Sequence, residues 1–522
     1  MTTSSEPVSR KSKAPVDPIA EAARQHFTIP YLYPIQRFVI SNILEEKNQI
    51  VVLPTGAGKS LCFQLPARIC HGLTVVVVPL LSLLADQLGR CRKAGLRADA
   101  LRGGQSPETR RALARELRSG RVDLLFTTPE TLQNISGDHW LEDLPIAHLV
   151  VDEAHCVSEW GESFRPAYRK LGAILRNWKI RCLTAFTATA SPRIIERIRE
   201  VLFPDQEVAI LSADPDRPNI RYRVLPTLSK TRTLVRLVEG ASRPLLVFSR
   251  TRSGAERAAR TVRRRLPALD TRFYHAGLSP EERKRVETWY KASKDGVLTA
   301  TSAYGMGVDK PDIHTVIHLD IPYSPEAYLQ ETGRAGRDGG PVQATLLYSA
   351  QDLKFSEILN PPAAPTADFA DSPENTLTPP LAAERYNQML GYALDTSCCR
   401  RKRLLDFLGR EPASCGGCDV CDGRALRRAE GEAQILECVS GNRRRFTLRQ
   451  TVQLLRGAKS YEVVRRGLAA YRGFGMLAGW QEEEIEEALD SLRRAGKIRV
   501  AKRGFWKDRV TAAESFGFTQ PR

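Results

Sequence analysis

The apolar run Ile50-Val51-Val52-Leu53 leads directly into Pro54-Thr55-Gly56-Ala57-Gly58-Lys59-Ser60. A glycine-rich turn between a strand and a helix points its backbone N–H groups at one centre. That centre lies at the positive end of the helix that follows, and the arrangement holds phosphates. Thr55, Gly56 and Gly58 belong to the cradle. Lys59 is placed to reach the β/γ-phosphates, and the Ser60 hydroxyl to bind Mg²⁺. The strict Walker pattern has Gly five residues before Gly58, where this chain has Leu53. The loop therefore has the shorter form Pro-Thr-Gly-x-Gly-Lys-Ser. It needs a strand before it and a helix after it, so this part of the chain is α/β.

A phosphate loop needs carboxylates. Asp152-Glu153-Ala154-His155 ends the apolar run Leu149-Val150-Val151. Asp152 is expected to hold Mg²⁺ through its water shell, and Glu153 to orient and polarise an attacking water. An acidic turn after a strand is the plainer alternative, and the phosphate loop upstream weighs against it. His155 either relays between the nucleotide and a second binding side or simply packs.

Short apolar runs alternate with helical patterns from residue 19 to 212, and again from 213 to 352. Thr74 to Val78, Leu124 to Phe126, His148 to Val151 and Cys182 to Thr184 are strands in the first stretch. Leu245 to Phe248, Val297 to Thr299, Val316 to His318 and Ala344 to Tyr348 are strands in the second. That rhythm makes parallel sheets with crossover helices. Residues 1–18 are rich in Ser, Thr, Lys and Pro and read as a disordered tail without the apolar segment of a secretory signal. A Pro-rich linker is expected over 353–380, a helical module over 381–428 and a helix-plus-hairpin unit over 429–515, with a tail over 516–522.

The formal net charge is +18. Excess Lys and Arg also serve solubility, but a polyanion partner gives it a sharper use. Residues 398–522 hold 26 Lys/Arg against 16 Asp/Glu, so the last quarter carries +10 of the excess and is the expected electrostatic footprint. No run of about 18 apolar residues occurs, which excludes a membrane helix. Six cysteines are isolated and read as small apolar residues. The others cluster: Cys415, Cys418 and Cys421 lie two residues apart, with Cys398 or Cys399 upstream. Four thiolates without a secretion signal favour a closed tetrahedral Zn²⁺ site of structural kind.

The order of motifs resembles that of superfamily 2 helicases. Leu32-Tyr33-Pro34-Ile35-Gln36 is similar to the adenine-reading motif, with Gln36 on the base. Pro79 to Leu83 with Asp86-Gln87, Thr127 to Glu130, Thr187-Ala188-Thr189-Ala190 and Tyr304 to Pro311 follow in place. Gln330 to Asp338 looks like the arginine-finger motif, in which Arg334 and Arg337 face the nucleotide and Arg337 is the first choice as finger. Asp152 through Pro166 resembles the aromatic-rich loop of RecQ helicases, and Asp216 to Ile220 and Tyr274 to Leu278 match the same family. The resemblance covers about residues 25 to 515. Tyr33 departs from it, standing where RecQ adenine motifs carry Arg, and a form without the helicase-and-RNase-like C-terminal domain is expected.

The resemblance implies two tandem RecA-like parallel-sheet domains, a helical zinc-binding module and a winged helix. It implies ATP and Mg²⁺ bound between the RecA-like domains and 3′ to 5′ unwinding of DNA in repair and recombination. The family's upstream zinc ligand precedes Arg-Arg, which selects Cys399, before Arg400-Arg401, over Cys398. Arg400 to Arg403 either face DNA or decorate a helix. Trp160 and Phe164 are expected to stack on unpaired bases, and Arg165 to meet a phosphate. Arg443 to Arg445 and Arg456 would grip duplex phosphates. Phe505 and Trp506, at the wing tip, either part the strands or anchor the hairpin. The expected partner is DNA at single-strand/duplex junctions, with a single-strand DNA-binding protein beside it. The expected protein is a monomer in the bacterial cytoplasm, at the nucleoid. A DNA-stimulated translocase that remodels without processive unwinding is the alternative.

Overall fold

Val, Ile and Leu in uninterrupted runs form strands buried on both faces, as parallel sheets covered by helices require. The computed structural model describes residues 17–513, apart from positions 55, 80, 135–143, 158–165, 177, 305–309, 360–378, 412–413, 458–460, 502 and 504–505. It divides into two units, residues 1–215 and 216–522.

The first unit contains, among the described residues, a seven-stranded sheet. Its strands are β1 (Gln49–Val52), β2 (Leu73–Val77), β3 (Ala98–Ala100), β4 (Leu124–Thr127), β5 (Ile146–Val151), β6 (Ile180–Thr187) and β7 (Ala209–Ser212), in the order β3-β4-β2-β5-β6-β1-β7. Every pairing in it is parallel. Successive side chains point to opposite faces. Ile50, Val75, Leu149 and Leu183 pack into the core on one side, and Val51, Val76, Val150 and Phe186 into that on the other. Because β5, β6 and β1 are neighbours, the residues after Val151, Thr187 and Val52 come to one edge of the sheet. Ligands of open parallel sheets bind at such carboxyl ends.

The second unit contains a six-stranded parallel sheet of β8 (Ile220–Pro226), β9 (Leu245–Phe248), β10 (Thr271–Tyr274), β11 (Val297–Ala300), β12 (Thr315–His318) and β13 (Val342–Tyr348). Their order is β10-β11-β9-β12-β13-β8, which leaves β8 at an edge. The helices Pro379–Leu394 and Arg400–Asp406 send Tyr386, Met389, Tyr392 and Leu404 into the core beneath this sheet. The linker expected from residue 353 does not begin there, because Ala350–Leu359 is helical. Asp352 pins that helix: its buried carboxylate accepts hydrogen bonds from Arg250 (2.9 Å) and from the backbone N–H of Ser349 (3.0 Å).

The end of the chain has its own core around Ile435, Leu455, Ile485 and Leu489. It comprises the helices Glu432–Gly441, Leu448–Arg456 and Glu482–Arg494 and the antiparallel pair β14 (Ile498–Val500) and β15 (Val510–Ala512). Glu487 ties it to the sheet domain, accepting from the Ser229 hydroxyl (2.7 Å) and Lys230 N–H (3.0 Å) at a helix N-terminus, where a carboxylate is favoured. No helix among the described residues is long and apolar enough to cross a membrane.

Candidate active site and metal centre

The turn after β1 is possible only because of its glycines. Gly56 and Gly58 have φ of 88° and 76°, and Gly58 caps the helix Lys59–Ile69. A Cβ on Gly58 would stand 2.5 Å from the Gln36 side-chain nitrogen. Gln36 is buried, accepting from the Tyr33 N–H (3.0 Å) and donating to the Ala57 carbonyl (2.9 Å). The expected adenine reader is thus built into the wall of the phosphate loop. Gly58→Ala would add roughly 1–2 kcal/mol of left-handed strain and push on Gln36. Nucleotide affinity should fall about tenfold, read by titration with fluorescent ADP, with the melting temperature lowered by only a few degrees.

Asp152 and Glu153 follow β5. Asp152 is buried and accepts from the Glu153 N–H at 2.9 Å. Burial pushes its carboxyl up to about 6, against the opposing pull of Lys59. Glu153 sits at φ 49°, a backbone region that non-glycine residues seldom occupy and that recurs at active sites. Its carboxylate meets Lys59 Nζ at 3.2 Å and His155 Nδ1 at 3.4 Å. His155 Nδ1 also lies 3.2 Å from the Thr187 hydroxyl, at the end of β6. Lys59, Glu153, His155 and Thr187 therefore form one connected polar line across three neighbouring strands. His155 both packs and bonds. Ser60, whose oxygen would suit Mg²⁺ together with the Asp152 carboxylate, is held by Gln87 Nε2 at 2.9 Å.

Sequence reasoning did not foresee the Gln87–Ser60 bond or the His155–Thr187 contact. The motifs containing them were visible, but their side chains meet only after the sheet orders its strands. Thr55, Trp160, Phe164, Arg165 and Phe505 lie outside the described residues. Trp506 is exposed in the turn before β15. Arg334 and Arg337 belong to the second unit. Arg334 is buried just beyond the helix Pro325–Thr332, and Arg337 is half-buried in the loop that follows.

The sulfurs of Cys399, Cys415, Cys418 and Cys421 all lie within 4.8 Å of one another. Those of Cys399 and Cys418 are 4.0 Å apart. Zn–S bonds of about 2.3 Å set tetrahedral sulfurs about 3.8 Å apart, so the cluster fits zinc with little adjustment. Cys398 is not part of it; its thiol turns to the Cys399 carbonyl. Burial raises the Cys399 thiol, but the N–H of Lys402, the Cys415 and Cys421 thiols and the N–H of Arg401 together hold it below its usual value.

Arg400 and Arg401 neither face solvent nor decorate the helix; both are at most 2% exposed. Buried guanidinium groups must be paired. Arg400 Nε donates to Asp419 (2.9 Å), and Arg401 is paired with Asp216. Residues 417–419 lie along the edge strand β8: Tyr222 N–H donates to Gly417 O (3.3 Å) and Asp419 N–H to Tyr222 O (3.1 Å).

Comparison with known proteins agrees with this layout. The DEAD/DEAH box helicase family matches residues 33–198 and the helicase conserved C-terminal domain residues 229–339. The RecQ zinc-binding family matches residues 370–422 and the RQC domain residues 430–511. ATP-dependent DNA helicase RecQ of Bacillus subtilis is 31% identical over 459 residues, covering 87% of this chain and 76% of the relative. The protein of the same name from Pasteurella multocida is 32% identical over 470 residues, covering 89% and 72%. In fold, the DEAD-box helicase Mss116 bound to ssRNA is similar with a TM-score of 0.54 at 19% identity, over 69% of this chain and 79% of that one. A phosphate loop with paired carboxylates serves many ATP-using proteins. A four-cysteine cluster lying along the edge of a second parallel sheet and followed by a winged helix is far more restrictive, and together with the two relatives it shows that the chain belongs to the RecQ helicase family.

Proposed function

We infer that this chain is an ATP-dependent DNA helicase that hydrolyses Mg²⁺-bound ATP and uses the energy to move along one strand in the 3′ to 5′ direction. The observation that carries the reading is the polar line from Lys59 through Glu153 and His155 to Thr187. With nucleotide bound, Lys59 exchanges the Glu153 carboxylate for β/γ-phosphate oxygens. Glu153 is then free to accept a hydrogen bond from the attacking water and polarise it. Ser60 and Asp152 would hold Mg²⁺, which supplies charge neutralisation at the phosphates. His155 passes the state of Glu153 to Thr187, and Gln87 passes that of Ser60 to the helix Leu81–Lys93. Arg337, with Arg334 beside it, adds positive charge to the phosphoryl group in transfer.

On the DNA side, Trp160 and Phe164 stack on bases and Arg165 meets a phosphate; the resemblance and the chemistry of these side chains support this. The resemblance assigns Trp506 and Phe505 to the wing. Trp506 is a large aromatic with an exposed face, which is open to contact with a base. The reading includes a monomer at single-strand/duplex junctions in the cytoplasm, at the nucleoid, with a single-strand DNA-binding protein as partner and roles in repair and recombination. Resemblance to the family supports these. ATP hydrolysis measured alone, with single-stranded DNA and with RNA tests the reading. Stimulation by DNA far above that by RNA is expected, and equal rates in all three would overturn it.

Zinc is the structural ion of the second unit. Cys418→Ser should lose the metal and about 4 kcal/mol or more of stability, read by elemental analysis and urea unfolding. Cys398→Ser should keep one zinc per chain and unfold like the wild type.

A further inference from the structure

The loop carrying Arg334 and Arg337 turns at Gly336 and Gly339, with φ of 56° and 85°. Its carbonyls are collected by two side chains from the segment before β8. Arg217 donates to the carbonyls of Gly333 (3.3 Å), Ala335 (3.1 Å) and Gly336 (2.7 Å). Asn219 Nδ2 donates to those of Gly336 (3.0 Å) and Gly340 (2.8 Å). A Cβ on Gly336 would stand 2.6 Å from Asn219 Nδ2, so the loop is seated tightly on this pair.

The same segment is gripped from the other side by the zinc module. Arg401, two residues beyond the ligand Cys399, pairs with Asp216 and donates to the carbonyls of Arg217 (2.9 Å) and Ile220 (2.5 Å). A Cβ on Gly416, between two other ligands, would stand 2.4 Å from the Pro218 carbonyl. Asp419 accepts from the Val224 N–H at 2.9 Å. A guanidinium buried among carbonyls gains little stability for its desolvation, whereas five fixed donors in one plane hold a backbone in register.

We propose that residues 216–219 form a strut through which the zinc module sets the position of the Arg334–Arg337 loop, making Arg217, Asn219 and Arg401 positioning residues for ATP hydrolysis. This rests on the reading of Arg337 as the group that stabilises the phosphoryl transition state. A finger displaced by about 1 Å loses on the order of a hundredfold in rate. Nucleotide binding in the ground state does not need the finger and stays intact. The strut also gives the zinc cluster a part in the chemistry beyond stability, since it closes the knuckle on which Arg401 and Gly416 are mounted.

The test uses full-length protein carrying Arg217→Lys, Asn219→Ala or Arg401→Lys, beside Arg337→Ala as reference. DNA-stimulated kcat, KM for ATP, affinity for ADP and affinity for ADP–aluminium fluoride are measured, with melting temperature and zinc content. In the strut variants kcat and ADP–aluminium fluoride affinity should fall together, by about tenfold or more. ADP affinity should hold within about twofold, with one zinc retained. Arg401→Lys keeps the charge facing Asp216 but loses the fork on two carbonyls, and Asn219→Ala removes no charge, so at least one variant remains folded. If Arg337→Ala lowers kcat while Arg217→Lys and Asn219→Ala leave it unchanged, the strut is wrong and the finger stands. If Arg337→Ala itself leaves kcat unchanged, the finger reading falls. Equal losses of ADP and ADP–aluminium fluoride affinity in the strut variants would show a general structural role and overturn the proposal.

Discussion

Lys59→Ala is expected to lower DNA-stimulated kcat/KM for ATP by about a thousandfold while the fold persists. Lys59 opens the helix Lys59–Ile69 at the edge of a sheet whose core lies on the far sides of β1, and its ammonium meets the Glu153 carboxylate at 3.2 Å. Alanine is a better helix former than lysine, and Glu153 keeps His155 as a neighbour. The melting temperature should therefore stay close to that of the wild type. ATP then lacks the ammonium expected to follow the β/γ-phosphates into the transition state. A coupled ATPase assay with circular dichroism on the same sample separates the two effects. Substantial hydrolysis by a folded Lys59→Ala protein would mean that the nucleotide sits elsewhere.

Arg337→Ala carries the second large effect. A group that acts only on the transferring phosphoryl is expected to cost on the order of a thousandfold in kcat, with KM for ATP nearly unchanged. Arg337 follows Gly336, and its N–H donates to the Pro311 carbonyl at 3.0 Å, so its backbone is fixed whatever its side chain does. It is half-buried, so truncation should leave stability within about 1 kcal/mol. Arg334 differs. It is buried beside Tyr304, and Arg334→Ala should cost both rate and stability. A raised KM with kcat preserved in Arg337→Ala would assign that residue to ground-state binding instead.

The parts of the site that were legible from sequence are local. A strand, a turn and a helix read in order place Gly56, Gly58, Lys59 and Ser60 with no knowledge of the rest of the chain, and the same holds for Asp152 and Glu153 at the end of β5. The cysteine cluster is nearly local, and its one ambiguity, Cys398 against Cys399, is decided by which sulfur lies with the other three, that of Cys399. What escaped is long-range. Arg400 and Arg401 look like surface charge in a basic run, because their partners, Asp419 and Asp216, are 19 and 185 positions away. Arg217 and Asn219 were visible as a motif, but their bonds go to carbonyls more than 110 residues on, and a carbonyl has no sequence signature. The linker's bound at residue 353 falls inside the helix Ala350–Leu359 because Asp352, a buried carboxylate held by Arg250, reads as an ordinary polar residue in a polar segment.

Strand displacement on a duplex with a single 3′ or 5′ single-stranded tail, with ATP and Mg²⁺, tests the account most directly, using wild type and Glu153→Gln. Wild-type protein should release the strand only from the 3′-tailed duplex, and Glu153→Gln, which retains the shape but not the charge that polarises water, should release neither. DNA-stimulated ATP hydrolysis without displacement from either tail would contradict the helicase reading and leave a translocase that remodels without unwinding.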